Sequence, residues 1–368
     1  MFVENNYPQA GGVIFLETII TKMTKLRFLS IFFCLCLYTC ADAQTLYVDP
    51  SNGRDEAEGT MSEPLASLQK AVARANQFAG NQPTTIKVAP GHYLLQSVLR
   101  IESPMGATAP YVLEATIMPD DKDWKPWLMP VIESVSPNND KKYFDHCAGI
   151  MAERANVTIR GLKFVGNANP AVEYYYPIIR DTLTLKNLDI SQCYFIGDKY
   201  GSVMQGAIYA EGPGIHVDHC IFYGAKNAVL VFENISDFSI THTIIYGAYE
   251  CALWYGFKEA DQPFVFSENI VSHCSYFWAG SKGLDHSSYI FSHSLICEND
   301  HYVGTQNGQG GVAELPAKIA YKETAVRKTG TVKLVEVKTE GFPQKYLNLT
   351  PDSDGQDIGA GIFKTIKN

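Results

Sequence analysis

A six-residue pattern that returns six times constrains this chain more than any other feature of it. Ile159-Arg-Gly-Leu-Lys-Phe164, Ile190-Ser-Gln-Cys-Tyr-Phe195, Val217-Asp-His-Cys-Ile-Phe222, Ile240-Thr-His-Thr-Ile-Ile245, Phe266-Ser-Glu-Asn-Ile-Val271 and Phe291-Ser-His-Ser-Leu-Ile296 share one order of apolar, polar and small residues. Their first positions are 31, 27, 23, 26 and 25 residues apart. Self-similarity at a period of roughly 20–50 residues marks stacked units, none of which can bury its apolar side alone. The spacing is uneven enough to require loops of different length and even enough to require one repeating coil. The pattern therefore predicts a β-solenoid.

Within each copy, two short strands meeting at a bend place the first and last residues inside. Stacking then gives one ladder of Ile159, Ile190, Val217, Ile240, Phe266 and Phe291, and a second of Phe164, Phe195, Phe222, Ile245, Val271 and Ile296. Coils hydrogen-bond at a spacing of about 4.8 Å, so like sits on like. Leu162, Cys193, Cys220, Thr243, Asn269 and Ser294 lie between the ladders, small groups suited to a tight inward bend. Cys193 and Cys220 are thus read as buried thiols rather than a disulfide. A third strand follows each bend, at Gly206–Ala210, Ala228–Phe232, Cys251–Tyr255 and Tyr276–Ala279. Its near-continuous apolar runs leave open which residues face in and which face out.

The ends of a solenoid must be closed, since an open coil exposes core and strand edges. Ser62 can cap a helix with Pro64 in its first turn, a stripe of Leu65, Leu68, Val72, Ala75 and Phe78, and Gly80 as its stop. This predicts an N-terminal cap over 44–92. Proline and tryptophan near 119–130 mark an insertion at about 119–145, ahead of central coils over 150–310. A C-terminal cap is expected over 316–368, with two strands between Ile319 and Val337 covering the last coil.

The start of the chain reads as an export signal. Lys25 and Arg27 precede the apolar run Phe28–Leu37 and the small-residue pattern Ala41-Asp42-Ala43, predicting a signal peptide over 23–43 and a mature start at Gln44. Residues 1–22 read as an upstream mis-start, and Cys40 offers a lipoprotein alternative. No later stretch is long and apolar enough to span a bilayer as a helix. Residues 1–43 hold three basic and three acidic residues, so the net charge of -9 is unchanged by their removal. An acidic chain without Lys/Arg clusters is a poor partner for nucleic acid. The 325 residues from Gln44 fit one domain because a solenoid grows lengthwise.

Several motifs resemble the pectate-lyase-like superfamily of exported right-handed parallel β-helix proteins. They are Tyr47-Val-Asp-Pro-Ser-Asn-Gly53, Glu58-Gly-Thr60, Glu63-Pro64, Ala66-Ser-Leu-Gln-Lys-Ala71, Val88-Ala-Pro-Gly-His-Tyr93, the coils themselves and Asp357-Ile-Gly-Ala360. The resemblance covers nearly all of 44–368. It implies an all-β fold with an N-terminal capping helix, and a polysaccharide or oligosaccharide as partner. Such proteins include lyases, hydrolases and members without known activity, so fold alone does not assign chemistry. The paired-Asp and Gly-His-Gly signatures of polygalacturonases are missing from this sequence, as is the Arg-His-Gly signature of alginate-lyase-like members.

In the resembling enzymes sugar lies along the outside of the third strand, which points here to Tyr209, Glu211, Glu233, Glu250, Trp254, Tyr255, Trp278, Lys282, Asp285 and His286. Glu211 and Glu233 fall at nearly matching places on adjacent coils, about 5 Å apart, the spacing of a retaining carboxylate pair. The plain alternative is two solvated loop carboxylates. A lyase would instead use His286 or Lys282 as base, and calcium to offset the chain's own negative charge. Aromatic side chains can stack on sugar rings, with Tyr174-Tyr-Tyr176 the clearest exposed candidate, whereas Trp254 and Trp278 can equally fill the coil. Gln192, His219, His242, Glu268 and His293 share one bend position on five coils. Imidazoles there can share zinc, but ligation also needs converging directions, so an exposed polar stack is preferred and no metal is assigned. Asp352-Ser-Asp354-Gly355-Gln-Asp357 has a calcium-loop look without the downstream bidentate Glu.

The resulting expectation is an exported, monomeric, carbohydrate-active enzyme that needs no cofactor, hydrolase ahead of lyase. Glu211, Glu233, Asp285 and His286 are its catalytic candidates; Tyr209, Glu250, Trp254, Tyr255, Trp278 and Lys282 are its binding candidates. The alternative is a non-catalytic carbohydrate-binding or surface-scaffold solenoid.

Overall fold

The computed structural model describes Met1 and residues 44–78, 80–104, 107–255, 264–280, 289–306, 311–314, 322–336 and 343–364. The reading of 1–22, the signal peptide and Cys40 lies outside them. From Ala43 onward the chain forms one compact unit.

Each coil contributes one strand to each of three sheets. Among the described residues, sheet A has ten strands from Gln44–Val48 to Lys322–Thr324, sheet B eight from His92–Leu95 to Leu295–Cys297, and sheet C nine from Leu99–Ile101 to Val312–Glu314. Neighbouring strands of the three sheets pair in parallel among the described residues, except for the closing hairpin of His301–Gln306 with Val312–Glu314. Both predicted ladders hold residue for residue: Ile159, Ile190, Val217, Ile240, Phe266 and Phe291 in sheet A, and Phe164, Phe195, Phe222, Ile245, Val271 and Ile296 in sheet B. Stacking brings the Phe195 ring to 5.0 Å from Phe164 and 4.7 Å from Phe222, nearly coplanar in both pairs. The architecture is the right-handed parallel β-helix.

The turn from sheet A to sheet B runs through a left-handed residue on five successive coils, with φ of 52° at Gln192, 50° at His219, 48° at His242, 60° at Glu268 and 46° at His293. The next residue points inward and ties coil to coil. Thr243 Oγ1 accepts from Cys220 N at 3.2 Å, Asn269 Oδ1 from Thr243 N at 2.9 Å, and Ser294 Oγ from Asn269 N at 3.0 Å. Each hydroxyl or amide thus satisfies a buried backbone donor that the bend takes out of the sheet. Cys193 and Cys220 fill the same positions as free, buried thiols.

The N-terminal helix is shorter than the sequence suggests, running Leu68–Ala75 with Ser67, not Ser62, as its cap. The reason is that Leu65 belongs to a ladder: its N–H donates to Tyr47 O and its carbonyl accepts from Asp49 N, both within 2.9 Å. Leu68, Ala71, Val72 and Ala75 still face the core of the first coil. The C-terminal segment differs more. One strand, Lys322–Thr324, extends sheet A, and no second strand follows it in the described part of 319–337. Instead Val332, Leu347, Leu349 and Ile362 lie on the outer side of sheet B, over Tyr194, Ile221, Ile244, Ile270 and Leu295. Tyr194 donates to Tyr346 O at 2.7 Å, and Phe363 meets Trp124 edge-on at 5.4 Å. The 352–357 carboxylates serve this segment: Asp352 pairs with Lys333 and Asp357 with Arg327.

Candidate active site

Register settles the parity of the third strand. Ile208, Val229, Leu253 and Trp278 form one row, and Tyr209, Leu230, Trp254 and Ala279 the next. The first row lies in the main core and the second outside it. Tyr255 and Trp278 therefore face the core, not the outer side on which the sequence reading places sugar. Trp278 replaces Leu253 in a coil wide enough to pack it against Tyr289 and Phe291, and the Tyr255 ring centroid lies 4.2 Å from that of Tyr289. The near-continuous apolar run hid this, because inner and outer rows are both apolar.

The outer row forms the floor of a cleft of about 740 Å³. Tyr209, Glu211, Glu233, Glu250 and Trp254 all line it, so five of the ten predicted residues converge there. Lys282, Asp285 and His286 lie outside the described residues. Of the three neighbouring tyrosines, Tyr174 and Tyr176 line the cleft, whereas Tyr175 is buried away from it. Tyr143 and Phe144 overhang it from the inserted segment. That segment is tied down by backbone bonds between Asp140 and His146 and by Lys142, whose Nζ is 3.2 Å from Asp181. Phe144 packs edge-on to Tyr174 at 5.2 Å. Tyr143 and Phe144 are absent from the residues expected from sequence, since an inserted loop has no periodicity to place it.

Glu211 is 2% exposed although it lines the cleft. Its Oε1 accepts from the Tyr209 hydroxyl at 2.9 Å and its Oε2 from the Tyr143 hydroxyl at 3.4 Å. Burial raises its pKa above the ordinary carboxylate value; Tyr209 and Lys142 pull it down, while Glu233 and Asp181 push it up. Its backbone is fixed by Arg180, a fully buried guanidinium whose Nε and Nη2 donate to the carbonyls of Glu211, Gly212 and Pro213 at 2.7 to 3.0 Å. Gly212 takes φ of 84°, where a side chain would strain the turn. Arg180 is a third residue absent from the sequence reading. A charge ending the apolar run Tyr175–Ile179, with Glu-Gly-Pro-Gly one coil later, is the signal that marks it.

Glu233 is half-buried on the next coil. Ladder pairing sets Ala210 beside Val231, and Gly212 N donates to Glu233 O at 3.0 Å. Glu211 and Glu233 thus follow the paired ends of neighbouring strands on adjacent coils. Glu250 has a different character: Asn227 Nδ2 donates to it at 2.7 Å and Lys226 Nζ lies at 3.8 Å, so it is held by the cleft floor.

Fold and site together define a class: a right-handed parallel β-helix with an aromatic, acidic cleft on the outer side of its third sheet. The family model for a right handed beta helix region matches residues 137–296. Solved structures similar to this chain include a rhamnogalacturonan lyase at 11% identity and a TM-score of 0.43, covering 87% of this chain and 100% of that one. A GH136 lacto-N-biosidase from Eubacterium ramulus aligns at 10% identity and a TM-score of 0.42, over 85% of this chain and 70% of that one. XylC in complex with xylose aligns at 10% identity and 0.43, over 78% and 70%. Similarity at this level concerns the fold alone. No curated protein matches the chain.

Proposed function

We propose that this protein hydrolyses glycosidic bonds of a neutral polysaccharide or oligosaccharide bound along the cleft, with Glu211 as general acid and Glu233 as its partner carboxyl group. The observation that carries this reading is Glu211 itself, a carboxyl group buried against a cleft, held by two tyrosine hydroxyls, and kept protonated to higher pH than an exposed glutamate. Two carboxylates whose surroundings differ in this way divide acid and base roles. Glu211 gives its proton to the leaving oxygen; Glu233 acts on the sugar or on water. Tyr209 and Trp254 offer ring faces and edges to the sugar, and Tyr143 and Phe144 shield the bond being broken from bulk water.

The cleft's charge supports hydrolysis over elimination. Three carboxylates line it with one lysine, itself beside Glu250. A polyuronate would be repelled there, and a lyase needs a cation on the uronate carboxylate. The test is incubation of the protein with neutral and uronic-acid glycans, reading reducing ends and unsaturated-product absorbance together. Reducing ends without new absorbance, lost in Glu211→Gln and Glu233→Gln, are expected. New absorbance, or full activity in both variants, overturns the reading; binding without turnover would make the protein a carbohydrate-binding solenoid.

A further inference from the structure

A second polar cluster sits outside the cleft, at the bend between sheets A and B. Asp218 ends the strand Ile215–Asp218, His219 is the left-handed bend residue after it, and His242 holds the same bend position one coil on. His219 Nδ1 is 2.9 Å and His242 Nδ1 3.2 Å from one oxygen, Asp218 Oδ1. The two imidazole rings stack at 4.5 Å with 14° between their planes. One ligating atom from each of the three residues lies within 4.8 Å of the others. In four-coordinate zinc, with bonds of about 2.0–2.1 Å, neighbouring ligand atoms stand roughly 3.3 Å apart by tetrahedral geometry. The carboxylate-to-imidazole separations are near that edge length.

The hydrogen count singles this cluster out from the rest of the bend. His242 meets carboxylate oxygens at both nitrogens, since its Nε2 is 3.2 Å from Glu268 on the following coil. A neutral imidazole carries one N–H. With that hydrogen given to Glu268, the Nδ1 lone pair of His242 faces the Asp218 oxygen, and His219, only 8% exposed, presents Nδ1 to the same atom. A cation among the three atoms removes this conflict, as a second proton on the ring would, and direct titration with metal separates the two. Glu268 then acts as the outer carboxylate that fixes the ring of a metal-bound histidine. Asp218 is itself held in place: Thr241 Oγ1 donates to Oδ1 at 2.9 Å, and Lys364 Nζ takes Oδ2 at 3.0 Å.

We infer that Asp218, His219 and His242 form a binding site for a divalent transition metal of the zinc class, with Glu268 orienting His242. Two nitrogens and one carboxylate suit such an ion better than calcium or magnesium, which prefer all-oxygen shells. The ion fastens two coils to each other. It also steadies the C-terminal segment, which reaches the cluster through Lys364 and through Gly361 N donating to His242 O at 2.9 Å. Its role is therefore in stability, independent of turnover at the cleft.

The full chain, stripped by chelation and dialysed, is titrated with zinc alone by calorimetry and with cobalt alone by visible absorption. One equivalent of zinc, cobalt bands of a four-coordinate site and a higher unfolding temperature with zinc are expected. Affinity should fall at least about tenfold in His242→Gln and by about 10–100-fold in Glu268→Gln, the range for lost outer-sphere partners, and be unchanged in His92→Ala, a control far along the chain. Half-exposed His242 is chosen over buried His219 so that the variant folds, which circular dichroism verifies. Absence of a 1:1 site in the parent chain, or undiminished binding in His242→Gln, overturns the assignment.

Discussion

The outer sides of sheets B and C present the same problem and receive opposite treatment. Both carry apolar rows that point away from the core: Tyr194, Ile221, Ile244, Ile270 and Leu295 on sheet B, and Tyr209, Leu230 and Trp254 on sheet C. On sheet B the chain's own C-terminal segment supplies Val332, Leu347, Leu349 and Ile362 as a cover. On sheet C the row remains the floor of a cleft, with carboxylates at its border. The composition of the rows differs accordingly, with branched aliphatics where protein packs on protein and rings where sugar can stack.

This contrast can be broken most decisively at Glu211. If the cleft is catalytic, Glu211→Gln lowers glycan hydrolysis by about 10²–10⁴-fold, the usual worth of a positioned acid, while leaving glycan affinity within about twofold. A rate within a few-fold of the parent would make the sheet C face a binding platform at most. On the other face, Ile244→Ala should destabilise the fold by about 2–4 kcal/mol, the cost of a cavity under the covering segment, with no change in affinity for glycan. Chemical denaturation measures the first and calorimetry the second. Loss of glycan binding in folded Ile244→Ala would mean that the two faces are not separate.

How much of this was legible in the residues follows from what each row must satisfy. The ladders of sheets A and B, including the jump from Phe222 to Ile245, could be aligned from sequence because one polar-small bend recurs between them. The third strand lacks such a marker. With apolar residues on both of its sides, alternation carries no information, and Trp278 was indistinguishable from Trp254 until strand pairing put it beside Leu253. Glu211 can be named from sequence because it ends a third strand at nearly the same place as Glu233 one coil on. Its burial could not, since Tyr143, 68 positions earlier, supplies part of it. Likewise the bend histidines were visible as a column, yet the shared Asp218 oxygen is a matter of side-chain direction, which spacing does not encode.

A smaller effect separates the aromatic floor from the apolar cover. Trp254→Ala removes a ring from the sheet C row without opening the core, because its side chain lies outside the coil. Oligosaccharide affinity should weaken by about tenfold, roughly the worth of one stacked ring, and isothermal titration would read it. The equivalent loss in Trp278→Ala should appear as instability instead, since that ring is fully buried against Phe291. Equal binding defects in folded forms of the two variants would contradict the assigned parity.

The smallest effect concerns the free energy stored at Glu211. Its pKa in the folded protein is raised, chiefly by burial. Between the unfolded and folded pKa values the native state holds a proton that the unfolded chain has released, so stability falls as pH rises through that window. Above the folded value the cost is complete, and below the unfolded value, near pH 4.3, it is absent. Glu211→Gln removes the charge but keeps the shape. The variant should therefore melt at a higher temperature than the parent at pH 7, and the difference should vanish as the pH is lowered below the unfolded value. A variant less stable than the parent at neutral pH would mean that the tyrosine hydroxyls stabilise the ionised carboxylate, which would place the proton elsewhere in the cleft and remove Glu211 from the acid role.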